Sequence, residues 1–583
     1  MSYTKIKEFL RANELDYFIQ PNCDEFFSEY LPNYAKRIEF LTNFTGSNAI
    51  IIIGQKKSYF FTDGRYIIQA SNQIDLDEFE VINLAQISIG NFIEQITSED
   101  NKIAIDGKLF TIDFVNKLQK LCNQKSVELV ILENNPIDNI WTNQPKKPDS
   151  AVYFCDNKFI GKNSSKKRQE IVKQVKGEAI LITDPQNLCW LLNIRASDVD
   201  YTPILLSYGL LHKNGKIDIF FDEERLSDEY SNNLQDVNIY SENLMINKVK
   251  NLVDNVKTIQ VDFSTTNYWL FNNLKKLKIN IINERDPIFL AKSIKNDHEV
   301  LGIKKAHEID GLALTKFLFW LEKTIKDDLE VDEITASKKI LEFRQQHQDF
   351  IYPSFATISS FASNGAIIHY QPNQNTNKEI KGNSLYLIDS GGQYCGDHAF
   401  GTTDVTRTIL VGQENDEMIE NFTRVLKGHI ALARAKFPKG TNGAQLDVLA
   451  RFHLWQAGLN YDHGTGHGVG CFLSVHEGPC GIGKNYNQEL LPNMIISNEP
   501  GYYKSGEYGI RIESLLLVKE FDDNFLGFET LTLAPIDLNL VDFTMLTYPE
   551  KKWLTEYHQR IYKVFEDNLD NQQKVWLKGL LNP

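Results

Sequence analysis

Three glycine-rich strings in the C-terminal half carry acidic and imidazole side chains at the ends of β-prone runs, and any fold of this chain has to compensate the charge they bury. The first is SLYLIDSGGQYCGDHAFGTTDVTRTIL, residues 384–410. Leu385 and Leu387 alternate with Tyr386 and Ile388, which suits a strand ending at Asp389. Gly391-Gly392 opens a turn, and DVTRTIL is a second β-prone run starting at Asp404. An antiparallel hairpin of the two runs sets both carboxylates at one end of a sheet. Buried together they repel unless a cation lies between them. The plainer alternative is two loop aspartates, each capping a turn.

The second string, HGTGHGVGCFLSVHEG, puts His463, His467 and His476 within fourteen positions. Glycine there lets the backbone bend and approach closely, as an inward-facing ligand loop needs. A phosphate cradle is excluded, because Val469 stands where G-x-G-x-x-G needs its third glycine and no G-K-[ST] follows. No H-E-x-x-H is present either. The third string, SNEPGYYKSGEYGIRIESLLLV, sets Glu499 before a Pro-Gly turn and puts Arg511 and Glu513 on one face of an alternating strand. A core-facing glutamate is costly unless paired or metal-bound; an Arg511–Glu513 surface pair is the alternative. Taken together, Asp389, Asp404, His467, Glu499 and Glu513 amount to about −4 in charge. Two divalent cations and a bridging hydroxide nearly cancel that, with the ions ~3.5–4 Å apart. Oxygen-rich ligation favours Mn²⁺, while the imidazole admits Zn²⁺, Co²⁺ or Fe²⁺.

The 583 residues are too many for one core and imply three or four domains. A net charge of −15 argues against nucleic acid as a partner. No run approaches ~18–20 apolar residues, so no membrane span is expected. The start, MSYTKIKEFLRANELDYF, lacks a signal core and reads as an amphipathic helix turning Ile6, Leu10 and Phe18 inward. Seven scattered cysteines with no CxxC pair fit a reducing cytoplasm. Upstream of the strings, AIIII (49–53) reads as a strand buried on both faces, followed by a turn and the strand SYFFTD. LTNFTGSNAIIII (41–53) and LLNIRASDVDYTPILL (191–206) are loosely alike, a weak sign of a duplicated α/β unit. NQPKKPD (143–149) reads as a linker, and Ile309, Ala313, Phe317, Trp320 and Leu321 mark a long helix near 297–324.

At these residues the chain closely resembles aminopeptidase P, the Xaa-Pro aminopeptidases of the pita-bread metallopeptidases. The matching strings are ASNGAIIHYQP, YLIDSGGQY, GTTDVTRT, HGTGHGVGCFLSVHEGP, NEPGYYKSGEYGIRIES and TLTLAPIDL. FLTNFTGSNAIIII, FTDGRY and NPIDNIWTNQPKKP extend the likeness through the N-terminal half. The resemblance implies two creatinase-N-like α/β domains (1–145 and 146–288), an α+β pita-bread catalytic domain (289–520) and a C-terminal extension (521–583). It implies that Asp389 chelates one metal, Asp404 and Glu513 bridge both, and His467 and Glu499 hold the other. His369, His463, His476 and Arg511 face or support the substrate, with Glu499, His463 and His476 catalytic. A cytoplasmic homodimer acting on proline-containing peptides is the implied state, with prolidase activity on Xaa-Pro dipeptides or metal-free peptide binding as alternatives. One departure is CGDHAF (395–400), about four residues longer than the family's usual connection, and best read as an exposed loop.

Overall fold

The AIIII run becomes the strand Ile50–Gly54 because both of its faces are covered: Ile51 and Ile53 enter one hydrophobic cluster and Ile52 another. The computed structural model that shows this describes residues 2–155, 158–226, 235–252 and 257–581. The chain forms two compact units, one of Met1–Cys155 with Lys162–Ile288, the other of Asp156–Gly161 with Phe289–Pro583.

The first unit contains two six-stranded sheets of the same design. In the first, the order is Phe79–Asn83, Ser58–Thr62, Ile50–Gly54, Tyr17–Pro21, Lys102–Asp106, Glu128–Leu132. In the second it is Val237–Tyr240, Ile217–Phe220, Tyr208–His212, Ala179–Ile182, Thr258–Val261, Asn280–Asn283. Successive pairings run parallel, antiparallel, antiparallel, parallel, parallel in the first sheet. The second repeats that sequence. The duplication is therefore real, but the two strings that suggested it are offset. The counterpart of AIIII is Tyr208–His212, and PILL ends at Leu206, before that strand begins. The N-terminal helix is also shorter than expected. It spans Ser2–Ala12 and buries Ile6 and Leu10, whereas Phe18 is buried from the strand Tyr17–Pro21.

In the second unit a 30-residue helix, Asp297–Lys326, starts at a capping box in which Asn296 caps His298 and Glu299 and the Glu299 carboxylate answers the Asn296 N–H. Ala313, Phe317 and Leu321 are its buried stripe. Two sheets bear the charged strings. One is Ile358–Phe361, Ser384–Ser390 and Val405–Val411; the other includes, side by side, Ser514–Glu520, Ile495–Asn498, Gly466–Gly468 and Glu477–Ile482. Ile510 and Ile512 enter a core shared with the helices Asp416–Ala433 and Tyr548–Phe565, which turns Arg511 and Glu513 the other way.

The strand that carries Asp389, which ends one residue later at Ser390, and the strand that starts after Asp404 are antiparallel neighbours, with Asp389 opposite Thr406. They are not a simple hairpin. The connection folds into a second one, Gly392–Cys395 against Phe400–Thr402, which joins Phe350–Pro353 in a separate sheet. Asp397 and His398 form its exposed tip, and the Asp349 carboxylate accepts the N–H groups of His398 and Ala399 at 2.7 Å. At the base, a Cβ on Gly391 would lie 1.9 Å from the Thr403 carbonyl oxygen, so only glycine lets the chain turn there.

The hairpin is locked to the helices by a buried ion pair. Arg344 donates to Asp310 at 2.7 and 3.3 Å, and the Tyr394 hydroxyl donates to the same carboxylate at 2.7 Å. The guanidinium side chain is 1% exposed. Removing it strands a buried carboxylate, so Arg344→Met is expected to cost about 3–5 kcal/mol in the urea transition of this unit. A loss under about 1 kcal/mol would show the pair to be dispensable.

Candidate metal centre

Each of the strings delivers its ionisable group from a strand end. Asp389 lies opposite Thr406, and Asp404 is two residues from Thr406 on the same strand line, so both carboxylates share a face. The Glu513 N–H donates to the Thr406 carbonyl at 3.1 Å, which brings the third string to the same place. The His467 N–H donates to Ser497 Oγ at 2.9 Å, and the Glu499 N–H to the Thr465 carbonyl at 2.8 Å, tying the second string to the third. A Cβ on Gly466 would stand 1.9 Å from the Ser497 carbonyl oxygen, so the approach of these strands requires glycine.

The groups converge. The ligand atoms of Asp404, His467 and Glu513 lie within 4.8 Å of one another. His467 Nε2 is 3.5 Å from Asp404 Oδ2 and 3.4 Å from Glu499 Oε1. His467 Nδ1 donates to the Gly468 carbonyl at 2.9 Å, and a carbonyl only accepts, so Nε2 is the nitrogen left to face the carboxylates. Asp389 joins from the other side through Arg511, whose Nη2 donates to Asp389 Oδ2 at 2.6 Å. Arg511 Nε donates to Thr406 Oγ1 at 3.0 Å, and that hydroxyl donates to Glu513 Oε2 at 2.8 Å. The cation thus pairs with Asp389 rather than with Glu513, and both residues are buried, which removes the surface-pair alternative.

The electrostatics match the geometry. Burial, followed by the charge of Asp389, raises Asp404 to about 6 against the opposing hydrogen bond to His467. Burial and the charges of Asp404, Glu499 and Asp389 push Glu513 well above the usual carboxylate range. Burial would lower His467, but its pairing with Asp404 and the charge of Glu499 outweigh this and lift it to about 9. Asp389 Oδ1, Asp404 Oδ1 and Glu513 Oε1 are buried and accept no hydrogen bond from any described residue. Orphaned carboxylate oxygens are costly. Two of them, on Asp404 and Glu513, share a cluster with the His467 imidazole, and that is a donor set that divalent cations satisfy.

Two more of the expected residues, His476 and His463, adjoin this cluster. The His476 and His467 rings are edge to face, 4.2 Å apart. His463 donates from Nδ1 to the Gly464 carbonyl at 2.8 Å, and its Nε2 lies 2.9 Å from the Tyr503 hydroxyl. His369 follows Ile368, whose carbonyl accepts from Arg511 Nη2 at 3.4 Å. Tyr503 is a residue the sequence reading does not single out. Its hydroxyl accepts from Arg511 Nη1 at 2.7 Å. Burial pushes that hydroxyl up to about 12, so it keeps its proton and donates it to His463. A continuous path therefore runs from His463 through Tyr503 and Arg511 to Asp389. Asp397 and His398, at the exposed hairpin tip, take no part in the cluster.

Comparison with known proteins gives a consistent picture. The model of metallopeptidase family M24 matches residues 302–520, and that of the C-terminal region of peptidase M24 matches 524–582. Creatinase/prolidase N-terminal domain models match 3–136 and 143–299. A probable Xaa-Pro aminopeptidase P of Laccaria bicolor is 38% identical, over 99% of this chain and 92% of its own length. Xaa-Pro aminopeptidase 1 of Dictyostelium discoideum is 35% identical over 99% and 96%. The crystal structure of an X-prolyl aminopeptidase from Caenorhabditis elegans, described as a cytosolic enzyme with a di-nuclear active site, superposes with a TM-score of 0.94 at 33% identity, covering 100% of this chain and 99% of that one.

The raised carboxylates set a pH dependence for metal uptake. With Asp404 at about 6 rather than the ordinary 3.8, the folded metal-free chain holds a proton the unfolded chain has lost. That chain is therefore destabilised as pH rises through this window, and a cation must displace the proton. Titration of chelator-stripped protein with Mn²⁺ is expected to show two ions per chain and at least about tenfold weaker binding near pH 5.5 than near pH 7.5. Affinity independent of pH contradicts the assignment.

Proposed function

We propose, from the premise that the chain belongs to the Xaa-Pro aminopeptidases P of metallopeptidase family M24, that it removes the N-terminal residue from peptides with proline in second position. The observation that carries the reading is the buried cluster of Asp404, His467 and Glu513, with an unpartnered oxygen on each of the two carboxylates, in a chain related to such enzymes over its whole length. Asp389, Asp404, His467, Glu499 and Glu513 would hold two divalent cations, Mn²⁺ before Zn²⁺ or Co²⁺ given the oxygen-rich donors. When bound, the pair supplies Lewis acidity and a water activated near neutral pH.

The rest of the chemistry falls to side chains. An Xaa-Pro bond is a tertiary amide without an N–H, so recognition has to come from the carbonyl and the free amine. His476, whose ring packs edge to face on that of His467 at 4.2 Å, or His463 would donate to the developing oxyanion. Glu499 is suited to carry a proton to the departing proline nitrogen: its side chain is 18% exposed, against 6% for Asp404 and 10% for Asp389. Its Oε1 accepts from the Ser497 hydroxyl at 3.2 Å, which orients it. Arg511 holds Asp389 in place, and the carboxylate-rich pocket draws the positively charged amine, which makes the action exopeptidic.

Two further readings go with this one. A homodimer is supported by the helix Gly443–Trp455, which turns Val448, Phe452 and Trp455 outward at 42, 48 and 48% exposure on one face. A cytoplasmic location is supported by seven free cysteines and by the description of the Caenorhabditis elegans relative as cytosolic; no helix among the described residues is long and apolar enough to cross a membrane.

With manganese restored, the protein is expected to cleave Xaa-Pro tripeptides and longer peptides faster than Xaa-Pro dipeptides, and to lose the activity to chelator. Faster dipeptide cleavage makes it a prolidase instead. Glu499→Gln is expected to lower kcat by about 10²–10⁴ with both metals counted in the same sample; full turnover in that variant removes Glu499 from proton transfer. Phe452→Glu is expected to give a monomer by analytical ultracentrifugation, and an unchanged sedimentation coefficient rejects this face as the dimer contact.

A further inference from the structure

The loop that carries His463 and leads to His467 is held by a clamp behind it. Gly458, Gly464 and Gly466 leave that loop with little stiffness of its own. On the inner face of the helix Gly443–Trp455, Asp447 and Arg451 form a buried pair one turn apart, with Arg451 Nε donating to the two carboxylate oxygens at 3.0 and 2.8 Å. The remaining guanidinium donors go to the loop. Nη1 donates to the Asn460 side chain at 3.1 Å and to the Tyr461 carbonyl at 2.8 Å, and Nη2 donates to the His463 carbonyl at 2.7 Å. The guanidinium also stacks on Tyr461, 3.9 Å from its ring centre, and the Tyr461 ring lies 4.8 Å from that of His463.

Asp447 completes the clamp. It accepts a short hydrogen bond from the Thr465 hydroxyl, which accepts in turn from the Tyr461 hydroxyl. The Thr465 carbonyl then receives the Glu499 N–H at 2.8 Å. One buried ion pair thus fixes the backbone on both sides of His463 and, through Thr465, the backbone of Glu499. We infer that Arg451, charged and oriented by Asp447, is a positioning residue for the reaction: its guanidinium fork sets where His463 and Glu499 stand around the substrate. A lysine could keep the charge beside Asp447 but has neither the planar fork nor the reach to hold two carbonyls and an amide at once.

This inference rests on the peptidase reading, and its test separates the two. Arg451→Lys is compared with the parent enzyme for bound manganese, amide exchange in the 459–467 segment, kcat and KM on an Xaa-Pro tripeptide. The expected result is two metals retained, exchange in that segment faster by at least about tenfold, and kcat lower by about ten- to a hundredfold with KM within about threefold. A kcat within about twofold of the parent, a fall that tracks lost metal, or a change confined to KM overturns it. If the parent enzyme leaves Xaa-Pro peptides intact, the peptidase reading fails, and the exchange measurement alone decides whether the clamp orders the loop. Should Arg451→Lys not fold, the isosteric Asp447→Asn carries the same measurements with the same expected direction.

Discussion

Four carboxylates kept within reach of each other in a buried pocket repel, and the second unit is arranged to hold them there. Asp389, Asp404, Glu499 and Glu513 arrive on different strands, and the backbone ties among Thr406, Glu513, Ser497 and Thr465 prevent them from relaxing apart. Arg511 compensates Asp389 directly, and His467 lies between Asp404 and Glu499. That compensation is incomplete, as the raised Asp404 and Glu513 record. The remaining demand for positive charge is what makes a pair of divalent cations the natural complement of this pocket.

Around that pocket the supporting residues act by direction rather than by charge. Thr406 passes a hydrogen bond from Arg511 to Glu513, and Tyr503 passes one from Arg511 to His463. Such chains rotate each polar atom into one usable orientation, so that the reacting groups need little reorganisation. Asp447 and Arg451 do the same for the backbone of a glycine-rich loop. The cost falls on stability, because the links are buried or half-buried and unforgiving of a missing partner.

Much of this was legible in the chain itself, and the failures have physical causes. Glycines near Asp389, His467 and Glu499 and the continuous apolar run before Asp389 exposed the charged strand ends. The second hairpin between the two aspartates was not visible, because GGQYCGDHAFGTT carries turn residues at both ends and nothing local says that the middle pairs with Phe350–Pro353. Tyr503 escaped notice because it adjoins Tyr502, and only the pairing of Gly501–Lys504 with Tyr508–Arg511 decides which ring meets Arg511. Asp447 and Arg451 stand four residues apart on a helix, a spacing common to solvated pairs, and nothing local says that the loop after the helix folds back onto them. The repeated α/β unit was detectable, but its strings were misaligned because apolar residues such as Ile204–Leu206 need not be strand.

The central claim is that five side chains from three strings enclose two cations. X-ray data collected on either side of the manganese absorption edge, from crystals grown with Mn²⁺, test it most directly. The account predicts two anomalous peaks ~3.5–4 Å apart, with Asp404 and Glu513 touching both, Asp389 touching one, and His467 and Glu499 touching the other. A single peak, or peaks bound by other residues, would contradict it.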